Sequence, residues 1–194
     1  MAYSSRATVK ASLSIPDSVT SEDSAIDAAL DAASLQIDSY CGRTFVTPGS
    51  ATARVFNPGY DVCDVDDIAQ TTGLIVKTDT DNDGTFATTL VLTTDYILEN
   101  NAAPYRRVRE VGGAGFPRFL SNRPTVQVTA FWSYAMTVPA TVTQAATILA
   151  SRLYERRGTP LGIVAGFEGE SVRISHRDPD MRALLAGYRL IGVA

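Results

Sequence analysis

The chain has 194 residues, of which 45% are apolar and 20% charged, with a net charge of −4. This length predicts one domain with room for an insertion, and a composition ordinary for a water-soluble globular protein. The acidity argues against tight duplex binding, which needs a concentrated basic footprint. No stretch has the roughly 18 apolar residues of a membrane span, and "MAYSSRATVKASLSIP" predicts no signal peptide.

The charge is unevenly placed. Residues 1–41 carry −4, residues 42–101 carry −6, and residues 102–194 carry +6. Such polarity suits contacts between copies of one chain, acids of one meeting arginines of the next; a merely biased solvated surface is the alternative. Cys41 and Cys63 have no metal-ligand spacing and are expected to be free buried thiols.

In chain order, Thr8–Ile15 predicts one or two helical turns, ended at Pro16. "TSEDSAIDAALDAASLQIDSYCG" predicts a long helix. Thr20 and Asp23 have capping-box spacing, Ile26, Leu30, Ala33, Ile37 and Tyr40 recur at helical intervals, and Gly42 sits where a left-handed C-cap belongs.

From Phe45 to Tyr134 the texture is β-like. Short runs separated by Gly, Pro, Asn and Asp predict five to seven strands, "ARVF", "YDVCDV", "GLIVK", "FATTLVL", "DYIL", "YRRVREV" and "TVQVTAFWSY". In the last, Val126, Val128, Ala130, Trp132 and Tyr134 share one face. "VPATVTQAATILASRLYERRG" predicts a second long helix with Pro139 at its start and an apolar stripe of Val142, Ala145, Ala146, Leu149 and Leu153. A Gly- and Pro-punctuated segment follows, then "SVRISH" as a short strand and "DPDMRALLAGYRL" as a final helix with Asp178 as cap.

Candidate chemistry is sparse. "DTDNDGTF" (Asp79–Phe86) matches the first half of an EF-hand loop, with Asp79, Asp81, Asp83 and Gly84 in place. Its twelfth position is Leu90, which cannot ligate calcium, and both flanks are strand-like. It predicts a hairpin turn. His176, the sole histidine, has no local signature pairing it with a nucleophile. Gly113-x-Gly115 lacks the following helix of a dinucleotide fingerprint and predicts a mobile loop. Asp61, Asp64, Asp66 and Asp67 read as a solvated strand edge before a carboxylate pair. Arg106, Arg107, Arg109, Arg118 and Arg123 form a cluster without an aromatic stacking platform, so it is expected at subunit–subunit or channel contacts. No enzymatic reading emerges, and no cofactor or metal is implied.

"AIDAALDAASLQIDSYCGRTF", "VQVTAFWSYAMTVPATVTQAATILASRLYERRGTPLGI" and "VRISHRDPDMRALLAGYR" together resemble the signatures of head-to-tail adaptor (connector) proteins of long-tailed bacteriophages. The "DTDNDGTF" hairpin resembles that of actinobacterial-phage members, and Ser133 departs from the glycine usual before the second aromatic. The resemblance implies a virion structural protein of the neck, assembled in the host cytoplasm. It implies a homo-oligomeric ring, usually of twelve, that binds beneath the portal, extends the DNA channel and receives the stopper or tail-completion protein. Genomic DNA would pass without sequence-specific binding, and no membrane, catalysis or cofactor is involved.

The expected fold class is α+β. Residues 1–45 and 135–194 would form a small helical bundle, with 46–134 as a β-rich insertion and 158–194 as a docking arm. Leu161, Ile163, Val164, Phe167, Arg173, Arg177, Met181, Leu184, Leu185 and Tyr188 would meet the portal or a neighbouring copy. A rival reading is a β-rich virion binding or adhesion module for carbohydrate or a host surface, which would need an exposed aromatic platform.

Overall fold

The computed structural model describes residues 2–119, 123–157, 163–165, 171–173 and 179–190, the two three-residue stretches and Pro179 by backbone alone. In chain order the elements are α1 (Arg6–Ser12), α2 (Asp23–Cys41), β1 (Thr52–Phe56), β2 (Val62–Ile68), β3 (Ile75–Thr78), β4 (Thr88–Leu90), β5 (Tyr96–Leu98), β6 (Tyr105–Glu110), β7 (Val126–Ala130), α3 (Ala140–Arg156), β8 (Ile163–Ala165), β9 (Ser171–Arg173) and α4 (Pro179–Leu185). A 3-10 turn, Ala186–Tyr188, follows α4. Helix and antiparallel sheet are thus both present, as an α+β class requires. The chain divides into two compact units, Met1–Arg43 with Val138–Ala194, and Thr44–Thr137.

The first unit is helical. α2 and α3 pack along each other, with α1 against both and α4 on α3. The contacting faces are narrow because alanine lines them: Ala29, Ala33, Ala145, Ala146 and Ala150 are buried beside Ile26, Leu30, Ile37 and Val142. Small side chains let the helix backbones approach closely, so the stripe read from the sequence is a packing face. α2 ends as its sequence predicts. Gly42 adopts φ +68°, and its N–H donates to the Asp38 carbonyl at 2.8 Å.

The start of α2 differs from expectation. The helix begins at Asp23, and Thr20 is not its cap. The acids there serve tertiary contacts instead. Glu22 pairs with Arg157 at the end of α3 and accepts a hydrogen bond from Tyr154 Oη at 3.0 Å. Asp23 pairs with Lys10 at 2.5 Å and Arg6 at 2.7 Å, and Arg6 also bonds Asp27. Lys10 is 3% exposed, and its ammonium also donates to the carbonyls of Asp17 and Val19. A buried ammonium must find such partners, since desolvating it alone is prohibitive.

The second unit contains β1 to β7. One sheet has the order β1-β7-β3-β4 and the other β2-β6-β5, every pairing antiparallel. The core between them is large and β-branched or aromatic: Val65, Ile68, Val76, Tyr96, Val108, Phe116, Val126, Val128 and Trp132. The alternation in β7 is the one its sequence shows, with Val126, Val128 and Ala130 buried and Gln127 and Thr129 half-exposed. Trp132 continues that face, and its indole N–H donates to the Thr52 carbonyl at 2.7 Å.

Candidate functional site

β6 carries three of the five clustered arginines, and the sheet register decides what they meet. Arg107 lies opposite Asp64 of β2, and Arg109 lies opposite Val62 and Ile97. Arg107 donates to Asp64 at 2.8 Å and also lies near Glu99. Arg109 bridges Asp61, at 2.5 Å, and Glu99. Arg106 reaches Asp67 at 3.4 Å. The hydrogen bonds that Arg107 donates to Asp64 and Arg109 donates to Glu99 raise the pKa values of the two arginines.

These three arginines therefore already meet acids of their own chain. Antiparallel pairing of an acid-rich strand with an arginine-rich one joins them within a single chain. The same pairing accounts for Asp61, Asp64 and Asp67, while Asp66 meets Arg54 at 2.6 Å. Each of these four carboxylates has an arginine neighbour, which is the opposite of the like-charge proximity that raises a catalytic acid's pKa.

The other two arginines behave differently. Arg123 donates to the Asn82 carbonyl at 3.0 Å and so holds the loop between β3 and β4. Arg118 is exposed, its guanidinium carbon 5.9 Å from the centre of the Tyr60 ring. Tyr60 is 60% exposed and precedes β2, although the sequence places it at the start of the strand run "YDVCDV" and gives no sign of its exposure.

The Asp79–Phe86 stretch joins β3 to β4, as the hairpin reading expects. Asp79 is its organiser. The side chain is buried, and its two oxygens accept from the backbone N–H groups of Asp81 at 3.2 Å and Gly84 at 2.9 Å. Burial pushes its pKa up, but the backbone donors outweigh this and hold it below the ordinary value. Gly84 has φ +92°, a conformation that favours glycine. Asp81 and Asp83 are exposed on the loop, bonded to Thr80 Oγ1 and the Thr85 N–H.

The Gly113–Gly115 loop is tied down. Glu110 accepts the N–H groups of Gly113 and Gly115 at 3.1 and 3.2 Å, and Phe116 is buried in the core. Cys41 and Cys63 are free and buried, and burial pushes their thiols up to about 11 and about 12.

Of the expected docking arm, Leu161, Phe167, Arg177, His176 and Asp178 lie outside the described residues. Ile163, Val164 and Arg173 are placed by backbone in the antiparallel β8–β9 pair; β9 falls on the short strand expected at "SVRISH", while β8 lies in the Gly- and Pro-punctuated segment that had no strand reading. Residues 179–190 differ from the expectation of an arm that reaches away. Leu185 is fully buried within its own chain, while Met181, Leu184 and Tyr188 are half-buried. Arg152 pairs with Asp180, Tyr188 Oη and Thr141 Oγ1 are 2.7 Å apart, and the Leu190 N–H donates to the Cys41 carbonyl. The apolar face of α4 has a surface at hand in α3, and Leu185 is buried within the helical unit.

No protein-family model and no curated protein matches the chain. Among solved structures six chains match. One, in the neck of an empty gene transfer agent (GTA) particle computed with C6 symmetry, shares 19% identity at a TM-score of 0.62, covering 97% of this chain and 90% of that one. A second, in the neck of a native GTA particle computed with C12 symmetry, shares 18% identity at 0.57, over 88% and 84%. A third, in the virion of a native GTA particle, shares 21% identity at 0.52, over 90% and 81%. The chain therefore has a fold found in the necks of phage-like particles.

Proposed function

We propose that the chain is a structural protein of a virion neck, a head-to-tail adaptor whose copies close into a ring beneath the portal. The observation that carries this reading is the fold shared with a GTA neck chain over 97% of the length. The C12 symmetry of a second such neck supports a ring of twelve. In this reading the ring extends the DNA channel and presents its far face to a stopper or tail-completion protein. DNA passes without sequence readout, and the chain performs no catalysis. Ile163, Val164 and Arg173 of the hairpin, with Leu161, Phe167 and Arg177, contact the portal, and Met181, Leu184 and Tyr188 border that contact.

The adhesion alternative gains no support from the sole tryptophan. Trp132 is 4% exposed with its indole N–H already bonded, so it offers no platform to a sugar. Electron microscopy of purified particles tests the adaptor reading. The expected result is one ring of this protein between portal and tail. Its presence instead on the capsid surface or on fibres would overturn the proposal.

A further inference from the structure

We propose that neighbouring copies join through the four-stranded sheet, β4 of one copy lying antiparallel against β1 of the next. The inference rests on the ring reading above and names its subunit interface. All pairings in the order β1-β7-β3-β4 are antiparallel. β1 and β3 therefore run one way, and β7 and β4 the other. The two edge strands run in opposite directions, so laying β4 beside a second copy's β1 continues the alternation. Because the edges are different strands, the contact is heterologous, and its repetition by rotation closes a ring. Both edge strands are exposed to solvent, Thr52 to Val55 along β1 and Thr88 and Thr89 along β4, although the Thr52 carbonyl already accepts the Trp132 indole N–H. Open edges carry backbone donors and acceptors able to template another strand.

Charge selects the occupant. Thr78 lies opposite Val126, which lies opposite Phe56, so the loop after β3 and the turn after β1 share one end of the sheet. On the β4 flank that end carries exposed Asp81 and Asp83. On the β1 flank it carries Tyr60 with Arg118. Arg54, Arg106, Arg107 and Arg109 have carboxylates of their own chain, and Arg123 has a carbonyl. Arg118 has no carboxylate partner among the described residues. Placing β4 against the next copy's β1 brings Asp81 and Asp83 to Arg118, a complementarity only a second copy supplies in this register.

The test uses particles assembled with full-length variants. Val55→Cys combined with Thr89→Cys, treated with a short bismaleimide, is expected to give a ladder of multimers, while either variant alone gives none. The native thiols are buried and do not compete. Arg118→Glu is expected to lower incorporation into necks about tenfold through like-charge contact, and adding Asp81→Arg with Asp83→Arg is expected to restore it. Arg118 is exposed, so the melting temperature of the isolated variant stays unchanged. Necks that hold a ring of the protein, yet yield no ladder and tolerate Arg118→Glu, overturn the edge pairing and leave the neck reading standing. Particles whose necks lack the protein overturn the neck reading and the ring interface with it.

Discussion

The two units use charge in opposite ways. In the helical unit a lysine with 4% of its side chain exposed is sunk between α1 and α2, and holds Asp23 and two carbonyls. In the β unit Arg107 and Asp64, with side chains 56% and 77% exposed, form a ladder on the outer face of a sheet whose apolar core lies beneath. The difference follows from what each interior can supply. Alanine-lined helices bury little apolar area per residue, so polar contacts at their ends fix how they meet. The sheets bury large side chains on one face and leave the other face to solvent, where ion pairs contribute little. Charge in the first unit is structural, and charge in the second is largely surface.

The largest effect is expected at Leu185. If residues 179–190 were only a docking arm, Leu185→Ala would leave the isolated chain unchanged. Full burial predicts instead a loss of about 4 kcal/mol, in the upper part of the range for a leucine truncated in a core. Chemical denaturation of the isolated variant measures it. An unchanged midpoint would return α4 to the arm and leave the helical unit without part of its core.

Lys10 tests the contrast directly. Lys10→Ala removes a buried cation from Asp23, whose side chain is 21% exposed and which keeps Arg6, so the expected loss is about 2 kcal/mol, below the cost of breaking a fully buried pair from one side. Lys10→Met fills the volume without the charge and is expected to lose nearly as much, because Asp23 keeps its desolvation without its closest partner. If Lys10→Met were as stable as the parent, packing and not charge would be what the site requires.

Several of these features were legible in the sequence, for local reasons. Alternation and Asn, Gly and Pro breaks marked all seven strands of the β unit, and Gly42 marked the end of α2, because each depends on residues a few positions away. The register of β2 against β6 depends on residues 43 apart in Asp64 and Arg107, so the arginine cluster looked free when it was paired. Thr20 looked like a cap because the acids beside it fit a capping box; nothing local told that Glu22 was committed to Arg157, 135 residues away. Lys10 had no burial signal at all. The exposed Tyr60 beside Arg118 was equally silent, since both owe their meeting to the fold.

Acid is expected to separate the two units. In the helical unit, bonds from Arg157, Lys10 and Arg6 hold Glu22, Asp23 and Asp27 below their ordinary values. A carboxylate depressed by folding contributes stability that is fully present above its unfolded value and is lost as pH falls through its folded one. Asp38 has the opposite sign: burial raises it against the hydrogen bond from Tyr3, so protonation there favours the fold. Three groups against one make the helical unit acid-labile below pH about 4.5. In the β unit the backbone N–H donors of its loop hold Asp79 below its ordinary value. Hydrogen exchange compared at pH 3 and pH 7 should therefore show α2 and α3 losing protection before β6 and β7. The reverse order would mean that the Asp79 loop, not the helix-end pairs, is the acid-sensitive element.

The smallest effect is expected where ion pairs are most numerous. Arg107 and Asp64 face each other across β6 and β2 at 2.8 Å, yet more than half of each side chain is in water. Water already solvates both charges before they meet, and holding two long side chains together costs rotamer freedom, so little net gain remains. Arg107→Ala and Asp64→Ala, separately and together, should each leave the denaturation midpoint within error, with no coupling in the double-mutant cycle. Raising the salt should likewise change nothing, because there is little attraction to screen. A clear coupling that salt abolishes would show that the ladder acts as a network through Glu99, which touches both Arg107 and Arg109. The β unit would then depend on charge as the helical unit does, and Glu99→Gln would be the variant that separates a network from a row of independent pairs.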